Sequence, residues 1–339
     1  MRPPASIAAV AIITLLLSSI LLIVTVEASS GIHTASTMDK LGVPKNLQDR
    51  IKHVIVLMEE NRSFDHFLGN YRNKNARDPK TGKKTPQGPV NGLSGNEFNF
   101  INASDPRMGK VFVSPTAEYV NECDPNHNTP PTSYKIFGEQ AFAVHNYSNP
   151  KMSGFVEWEN SVRTDGAHMR YCGVMESFPP HKLPVLSALA DEFLLCDNFF
   201  ASHPGPTWPN RLFFLSGTSA GLTETGPWYQ EVLGRLFPQK TIYDQVAAGG
   251  GTWKNYFNDT PWEMFTETIA KHPENTVPLD DFYFDARTGN LPDFAFINPR
   301  VGINFTAGLG SNDQHPDHDV ALGEALYKDV YEALRASPQ

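Results

Sequence analysis

Cysteine and basic residues are both scarce in this chain. Three cysteines occur in 339 residues, so the chain can form at most one internal disulfide, and its thiols are too few and scattered for a zinc cluster; they are Cys123, Cys172 and Cys196. Lys and Arg number 28 against 37 Asp and Glu, which gives a net charge of -9. Binding to nucleic acid phosphates needs an excess of basic side chains, so this acidic chain is a poor partner for nucleic acid.

Charged side chains are also absent from a long run near the amino end. Residues 5–26 follow Arg2, carry no charge and lead to small residues around Ala28. This order predicts a secretory signal peptide at residues 1–28, although the run is long enough to cross a bilayer as an uncleaved anchor. Both interpretations predict that the rest of the chain is secreted, extracellular or lumenal, and membrane-anchored if the run is not cleaved. Residues 29–50 then form an N-terminal segment. In a eukaryotic source, four sequons could carry glycans, at Asn102, Asn146, Asn258 and Asn304.

The stretch with the most chemistry is HVIVLMEENRSFDHFLG at residues 53–69. Residues 54–58 are apolar and begin with β-branched side chains, which predicts a strand buried on both faces in a parallel sheet. Polar side chains follow at once, among them Glu60 and Asn61, and ligands bind at the carboxyl edge of such a sheet. These groups could hold a cation and a phosphate. The alternative is a helix N-terminus capped by Asn61 or Ser63, with acidic residues favouring the helix dipole.

A second candidate site follows a helix and a strand near the middle of the chain. Residues 184–193 show helical spacing of apolar side chains, with Pro184 at the first helical position, and residues 194–201 predict a second buried strand. The turn at residues 202–211 then exposes the Thr207 hydroxyl near free backbone N–H groups, which stabilise phosphate oxygens. A threonine hydroxyl needs a metal or a base to act as a nucleophile. The alternative is that Thr207 only caps a helix beginning near Pro209.

Two irregular regions lie between these sites. Residues 70–95 are polar and turn-rich, which predicts a long surface loop whose basic side chains could attract an anionic headgroup; the alternative is a solvated loop without a ligand. Residues 111–158 show no regular period and predict loops and short helices. His127 lies in this region, where a histidine is freer to serve a site than in a core.

Three motifs, taken in order, resemble the signatures of a known family. They read ENRSFDH at residues 60–66, TWPNR at residues 207–211 and NDQHP at residues 312–316. They resemble the motifs of the phosphoesterase family that includes non-specific phospholipases C and related acid phosphatases. The resemblance continues through FPPHKLPVL and LPDF, so it covers roughly residues 51–339.

The resemblance implies both a fold and a site. The family fold is similar to that of alkaline phosphatase, an α/β three-layer sandwich with a mainly parallel sheet. By similarity, Glu60 and Asn61 coordinate a divalent metal ion, and Thr207 is the nucleophile that becomes transiently phosphorylated. His127 and His315 are similar to the histidines that line the phosphate pocket, where they stabilise charge or protonate the leaving alcohol. Four further residues support the nucleophile turn or shape the pocket: Asn210, Arg211, Asn312 and Asp313.

On this resemblance, the chain is expected to be a secreted phosphoesterase. The most specific expectation is a phospholipase C that hydrolyses the glycerol-side phosphodiester of phospholipids at a membrane surface, through a metal-assisted phosphothreonine intermediate. Acid phosphatase is the close variant. The alternative class of function is phosphate binding without catalysis, by a truncated relative that keeps the phosphate-binding half of the fold.

The sequence departs from the family at its carboxyl end. Family members continue beyond the helix predicted at residues 322–335 into a strand that supplies further carboxylates, whereas this chain ends at Gln339. The phosphoesterase domain at residues 51–339 is therefore expected to be incomplete, lacking C-terminal strands and exposing an apolar sheet edge. Asn298 stands where family members often have Glu. A further alternative is a separate metal cluster formed by Asp313, His315, Asp317, His318 and Asp319.

Overall fold

The computed structural model describes residues 8–14, 19–26, 51–73, 83, 88–121, 123–143, 148–162, 171–225, 236–302 and 310–339. The strands in this part of the chain are β1 (Ala8–Thr14), β2 (Ser19–Val26), β3 (Ile51–Met58), β4 (Arg72–Asn73), β5 (Gly88–Pro89), β6 (Phe98–Phe100), β7 (Lys110–Phe112), β8 (Leu194–Cys196), β9 (Trp253–Phe257), β10 (Thr276–Pro278) and β11 (Phe294–Asn298). The α-helices are α1 (Phe64–Leu68), α2 (Thr129–Phe137), α3 (Glu139–Ala143), α4 (Phe155–Val162), α5 (Pro184–Glu192), α6 (Thr207–Ser216), α7 (Ile242–Ala248), α8 (Glu267–Lys271), α9 (Leu279–Thr288) and α10 (Val320–Ala336).

Seven of these strands form one sheet, in the order β10, β9, β11, β3, β2, β1, β8. The first four run parallel to one another, whereas β2 is antiparallel to both of its neighbours and β1 pairs in parallel with β8. Helices cover both faces of the sheet. The predicted α/β sandwich of three layers with a mainly parallel sheet is therefore confirmed.

The central strand β3 is buried on both faces, as its apolar composition predicts. Ile55 and Leu57 belong to one core cluster with side chains from α5, α9 and α10. Val56 and Met58 point the other way and pack with side chains from α6, α7 and β9. Successive side chains of the strand thus alternate between two helical layers. The residues that follow Met58 leave the sheet at the end of β3, between these layers.

The predicted exposed sheet edge stays a prediction, but β3 itself is paired on both sides, with β11 and with β2. Strand β2 pairs with β3 along its length, and β1 fills the space between β2 and β8. A strand with both faces buried leaves its backbone N–H and C=O groups unsatisfied unless a neighbour pairs with them, and β2 supplies that pairing. Residues 8–14 and 19–26 belong to the segment interpreted as signal peptide or anchor, which stays a prediction. Residues 29–50 lie outside the described residues.

Among the described helices, none is long and apolar enough to cross a membrane.

The predicted helix at residues 184–193 is confirmed as α5. The strand predicted at residues 194–201 is shorter than expected, since β8 ends at Cys196, and it is not buried, since Leu194 is 64% exposed. It lies at the end of the sheet, where one side of the strand has no neighbour among the described strands.

One disulfide joins Cys123 to Cys172, and Cys196 is a free cysteine. The predicted limit of one bridge is confirmed. Residues 74–82 and 84–87 of the predicted basic loop lie outside the described residues. In the described part, Arg72 donates to the carbonyl oxygens of Tyr71 and Leu93 and is thus engaged in local structure. The sequons at Asn146 and Asn304 also lie outside the described part, and glycosylation stays a prediction.

The buried carboxyl group of Glu324 predicts a pH-dependent stability. Glu324 lies on α10 and accepts hydrogen bonds from the backbone N–H groups of Val185 and Leu186 at the start of α5. Burial raises its pKa from 4.5 to about 7. The folded chain therefore binds this proton more tightly than the unfolded chain, and its contribution to stability falls as pH rises from about 4.5 through 7.

We expect Glu324→Gln to remove this pH dependence. Relative to the variant, the wild-type free energy of unfolding should fall by about 3 kcal/mol between pH 5 and pH 8. Urea unfolding of both proteins across this range measures the difference. Asp329→Asn, at an exposed position on α10, is the control and should show no comparable change. Parallel curves for wild type and Glu324→Gln would contradict the prediction.

Candidate active site

The end of β3 and the start of α6 meet through two side chains. Thr207 is the first residue of α6, and its hydroxyl donates a 2.7 Å hydrogen bond to Oε2 of Glu60. Helix α6 thus begins earlier than the predicted start near Pro209, and the interpretation of Thr207 as only a helix cap is wrong. The first stretch forms the predicted strand, β3, and its second half forms the helix start that was the alternative. Ser63 caps this helix, α1, by accepting from the His66 N–H.

Arg211 fixes the second oxygen of Glu60. Its Nε and Nη2 atoms donate to Oε1 of Glu60 at 2.9 and 2.5 Å, while its Nη1 donates to Oε1 of Glu263 at 3.3 Å and to Oδ1 of Asn298 at 2.9 Å. The guanidinium is 1% exposed. Burial lowers the pKa of Arg211, but the two carboxylates outweigh burial and hold the pKa above its usual value. Arg211 therefore stays charged and orients Glu60 towards Thr207.

Asn210 holds the turn that presents Thr207. Its Nδ2 donates to the carbonyl oxygens of His203, Gly205 and Pro206, and its Oδ1 accepts from the N–H of His203. These four bonds use the amide group fully, which fixes the backbone immediately before α6. The structure thus places Asn210 against the backbone that precedes Thr207, and Arg211 one residue further along α6.

Asn61 connects the end of β3 to His127. Asn61 has a φ of 52°, a left-handed conformation that asparagine tolerates better than most residues. Its Nδ2 lies 3.0 Å from Nε2 of His127, whose Nδ1 lies 3.0 Å from the carbonyl oxygen of Pro125. Burial lowers the pKa of His127, but Asp124 outweighs burial and raises the pKa above its usual value. The two ring nitrogens of His127 thus face different groups, Nε2 the Asn61 amide and Nδ1 the Asp124 carboxylate at 3.2 Å.

The third motif docks on the first through backbone and side-chain bonds. The Glu60 N–H donates to the carbonyl oxygen of Asp313 at 2.8 Å. Arg62 donates from Nε to the carbonyl oxygen of Gln314 and from Nη2 to that of His315. As a result, the ring of His315 lies 5.2 Å from the ring of His127, measured between centroids. Both predicted pocket histidines therefore lie beside the end of β3.

Asn312 and Asp313 shape this segment from within. Oδ1 of Asn312 accepts from the Arg300 N–H at 2.6 Å, and Oδ1 of Asp313 bonds Nδ1 of His318 at 2.6 Å and the N–H of His315 at 3.2 Å. Their side chains are thus used to fix the loop between β11 and α10. All nine predicted site residues are described, and the structure gathers them around the ends of β3 and β11 and the start of α6.

Comparison with known proteins shows the family of this chain. The family model described as the phosphoesterase family matches residues 51–339. The chain belongs to the phosphoesterase family. It is 36% identical to non-specific phospholipase C1 of Arabidopsis thaliana over 302 residues, which cover 87% of this chain and 51% of that protein. It is 38% identical to non-specific phospholipase C6 of the same plant over 295 residues, covering 86% of this chain and 51% of that protein.

A bacterial relative is also similar. Hemolytic phospholipase C of Pseudomonas aeruginosa is 33% identical over 244 residues, which cover 67% of this chain and 29% of that protein. The chain spans about half the length of the plant relatives. The family match at residues 51–339 includes all three motifs of this phosphoesterase chain.

Two sets of atoms in this phosphoesterase could hold a metal ion. At the end of β3, Glu60, Asn61 and Thr207 offer oxygen donors, and Oδ1 of Asn61 is buried without a hydrogen-bond partner among the described residues. Oxygen donors suit a hard divalent cation, so this set fits the metal that the resemblance implies. The second set consists of His and Asp atoms that lie within 4.8 Å of one another, in two overlapping groups: Asp124, His127 and His315, and His315, Asp317 and His318.

The alternative of a separate five-residue metal cluster is present only in part, as His315, Asp317 and His318. Asp319 instead caps α10, because its Oδ1 accepts from the N–H of Ala321. Asp313 is bonded to Nδ1 of His318. Two of the five residues are thus committed to the local fold, and the remaining three are the second group named above.

Sequence reasoning missed two buried acids. Glu263 lies beyond any motif, yet it binds Arg211, Asn255 and Asn298. Glu59 precedes the first motif, is fully buried, and has no hydrogen-bond partner for either carboxyl oxygen within the described chain. Burial, with Asp313 and Glu60 nearby, raises the pKa of Glu59 well above its usual value. The one sequence signal for Glu59 is its position directly after the buried run that ends at Met58.

Proposed function

We propose that this chain carries the nucleophile half of a secreted phospholipase C, which hydrolyses the glycerol-side phosphodiester of phospholipids through a phosphothreonine intermediate. The observation that carries the proposal is the 2.7 Å hydrogen bond from the Thr207 hydroxyl to Glu60 at the amino end of α6. A nucleophilic hydroxyl, a carboxylate that can take its proton, and a helix N-terminus facing an anion are the parts that phosphoryl transfer needs. The names of the relatives support phospholipid as the substrate class.

The described residues suggest how protons move in this reaction. As the Thr207 oxygen forms a bond to phosphorus, its proton passes to Oε2 of Glu60, to which it is already hydrogen-bonded. The bond from phosphorus to the glycerol oxygen breaks, and that oxygen takes a proton from His127 or His315. A water molecule then attacks phosphorus and gives a proton to the histidine that lost one. The bond from phosphorus to the Thr207 oxygen breaks, that oxygen takes back the proton held by Glu60, and the phosphorylated headgroup is released.

Three residues would hold a divalent metal ion in this mechanism: Glu60, Asn61 and Thr207. When bound, such an ion supplies positive charge that lowers the pKa of a coordinated hydroxyl and neutralises charge developing on the phosphoryl group. Arg211 contributes by fixing the Glu60 carboxylate from its other side. Asn61 contributes by placing its amide between the end of β3 and His127.

Secretion is part of the proposal and has separate support. The uncharged run at residues 5–26 is typical of a secretory leader. The disulfide between Cys123 and Cys172 fits an oxidising compartment, where such bonds persist.

Substrate preference is tested with p-nitrophenyl phosphorylcholine and p-nitrophenyl phosphate. Faster hydrolysis of the diester supports phospholipase C, whereas hydrolysis of the monoester alone supports an acid phosphatase.

We expect Asn61→Gly to weaken divalent metal binding by about tenfold, because it removes an oxygen donor and leaves a residue that tolerates the left-handed backbone. Calorimetric titration with Mg²⁺ and with Mn²⁺ measures the affinity without relying on activity. Asn96→Gly, at an exposed position, is the control and should bind like wild type. Equal affinities for all three proteins, together with full hydrolysis in excess chelator, would remove the metal from the proposal.

A further inference from the structure

The hairpin of β6 and β7 has its aromatic side chains on the outside. Phe98 pairs with Phe112 and Phe100 pairs with Lys110, so these four residues share one face of the hairpin. Phe98 is 38% exposed and Phe112 is 53% exposed. The connection between the strands adds Met108, which is 50% exposed. An antiparallel pair usually places its apolar residues against the core, and this hairpin does the opposite.

The inner face of the hairpin is held by a polar residue. Asn99 is 4% exposed; its Nδ2 donates to the carbonyl oxygen of Met152 at 3.0 Å, and its Oδ1 accepts from the Phe155 N–H at 2.8 Å. These bonds attach the hairpin to the first turn of α4. Turning the hairpin over would break both bonds and bury Lys110, so the outward position of the phenyl rings is built into the fold.

A cation lies within the aromatic face. The Nζ atom of Lys110 is 3.8 Å from the centre of the Phe98 ring and 5.1 Å from that of Phe100. Arg107, in the connection, is paired with Asp105. The face thus presents phenyl rings with a positive charge among them, on a chain whose net charge is -9. Aromatic rings and lysine together suit the boundary between lipid chains and anionic headgroups.

The hairpin lies close to the site. Helix α4 begins at Phe155, which the hairpin holds, and ends at Val162. Val162 lines a cavity of about 400 Å³ together with Asp124, Asn126, His127, Asn128 and Glu159. The seven-residue rise from Phe155 to Val162 is about 10 Å. A surface that the hairpin touches would therefore be near the cavity beside His127.

We propose that the outer face of this hairpin, formed by Phe98, Phe100, Met108, Lys110 and Phe112, docks on a lipid surface that contains anionic headgroups. Exposed apolar patches of this kind mark sites of interaction. The proposal rests on the proposed function in one respect only, that a phospholipid substrate would give the contact a purpose. Binding itself needs neither the nucleophile nor the metal.

The test compares the full chain with Phe98→Ser/Phe112→Ser, with the milder Phe112→Ser, and with Lys110→Glu. Binding is measured by co-sedimentation with phosphatidylcholine vesicles, with and without phosphatidylserine, and hydrogen exchange follows the amides of residues 97–113. The control is Phe284→Ser, because Phe284 is also 53% exposed and has Arg287 5.5 Å from its ring, but lies on α9. All of these proteins carry the same amino end, so a difference between them comes from the substituted position.

We expect the double variant to bind mixed vesicles at least about tenfold more weakly than wild type. Lys110→Glu should lose affinity mainly for vesicles with phosphatidylserine, Phe284→Ser should match wild type, and vesicles should slow exchange in residues 97–113. Unchanged exchange there, or equal loss in the double variant and Phe284→Ser, would overturn the proposal. The proposal would also be overturned if wild type forms dimers, the double variant is monomeric, and both bind vesicles equally well.

The outcome is independent of catalysis. Thr207→Ala should bind vesicles like wild type, and the double variant should hydrolyse soluble p-nitrophenyl phosphorylcholine like wild type. If wild type binds through the hairpin but hydrolyses no phosphoester, docking stands and the proposed function fails. If hydrolysis is found but the hairpin variants bind like wild type, docking alone fails.

Discussion

Thr207→Ala is expected to lower hydrolysis of a phosphodiester substrate by at least about a thousandfold. The substitution removes the hydroxyl that bonds Glu60 at 2.7 Å, and the described residues place no other hydroxyl on Oε2 of Glu60. The rate of p-nitrophenyl phosphorylcholine hydrolysis at saturating substrate measures the effect. Retained activity would refute Thr207 as the nucleophile.

Two matched substitutions show that the loss is chemical. Thr207→Ser keeps a hydroxyl at the start of α6 and should keep measurable activity. Thr218→Ala removes an exposed threonine just beyond the end of the same helix and should leave activity unchanged. Circular dichroism should show the same helix content in all variants, because Thr207 makes no helix-capping bond.

Arg211→Met is expected to lower the free energy of unfolding by about 4 kcal/mol. Arg211 is the buried cation between Glu60 and Glu263, and both carboxylates are nearly inaccessible to water. Methionine has a similar length but no charge, so two acids would remain buried without it. Each must then take up a proton or draw in water, and both responses cost free energy. Denaturant unfolding measures the loss.

Adding Glu263→Gln to Arg211→Met should restore part of this stability. The added substitution removes one of the two uncompensated charges, while the glutamine amide can still bond Asn255 and Asn298. Arg335→Met is the matched control, since Arg335 pairs with Glu332 at an exposed site on α10. It should change stability by less than about 0.5 kcal/mol. A loss of equal size in the control and in Arg211→Met would contradict the argument.

The parts of the fold that could be predicted from sequence depend on local pattern. The apolar run of β3 and the spacing in α5 identify their own structure, because burial on both faces or on one face leaves a direct trace in composition. The meeting of Glu60 with Thr207 could be predicted only from the resemblance of motifs, since 147 positions separate the two residues. The structure supports that meeting through Arg211.

The parts that sequence missed depend on distant partners. Nothing near Glu263 indicates that it binds Arg211, and Asn99 reads as an ordinary polar residue until its bonds to Met152 and Phe155 are seen. The length of β8 was overestimated because an apolar run shows where a strand is possible, whereas its end depends on the neighbour with which it pairs. The pairing of β2 with β3 likewise depends on residues far apart in the sequence.

The disulfide has a consequence for where the chain can work. Cys123 stands shortly before Asp124 and His127, and its bridge to Cys172 ties this segment to a distant part of the chain. Oxidation therefore restricts the segment that places the proposed proton donor. In a reducing compartment the same segment would be linked only by noncovalent contacts. In an oxidising compartment the bridge would link the segment that carries His127 covalently to the residues around Cys172.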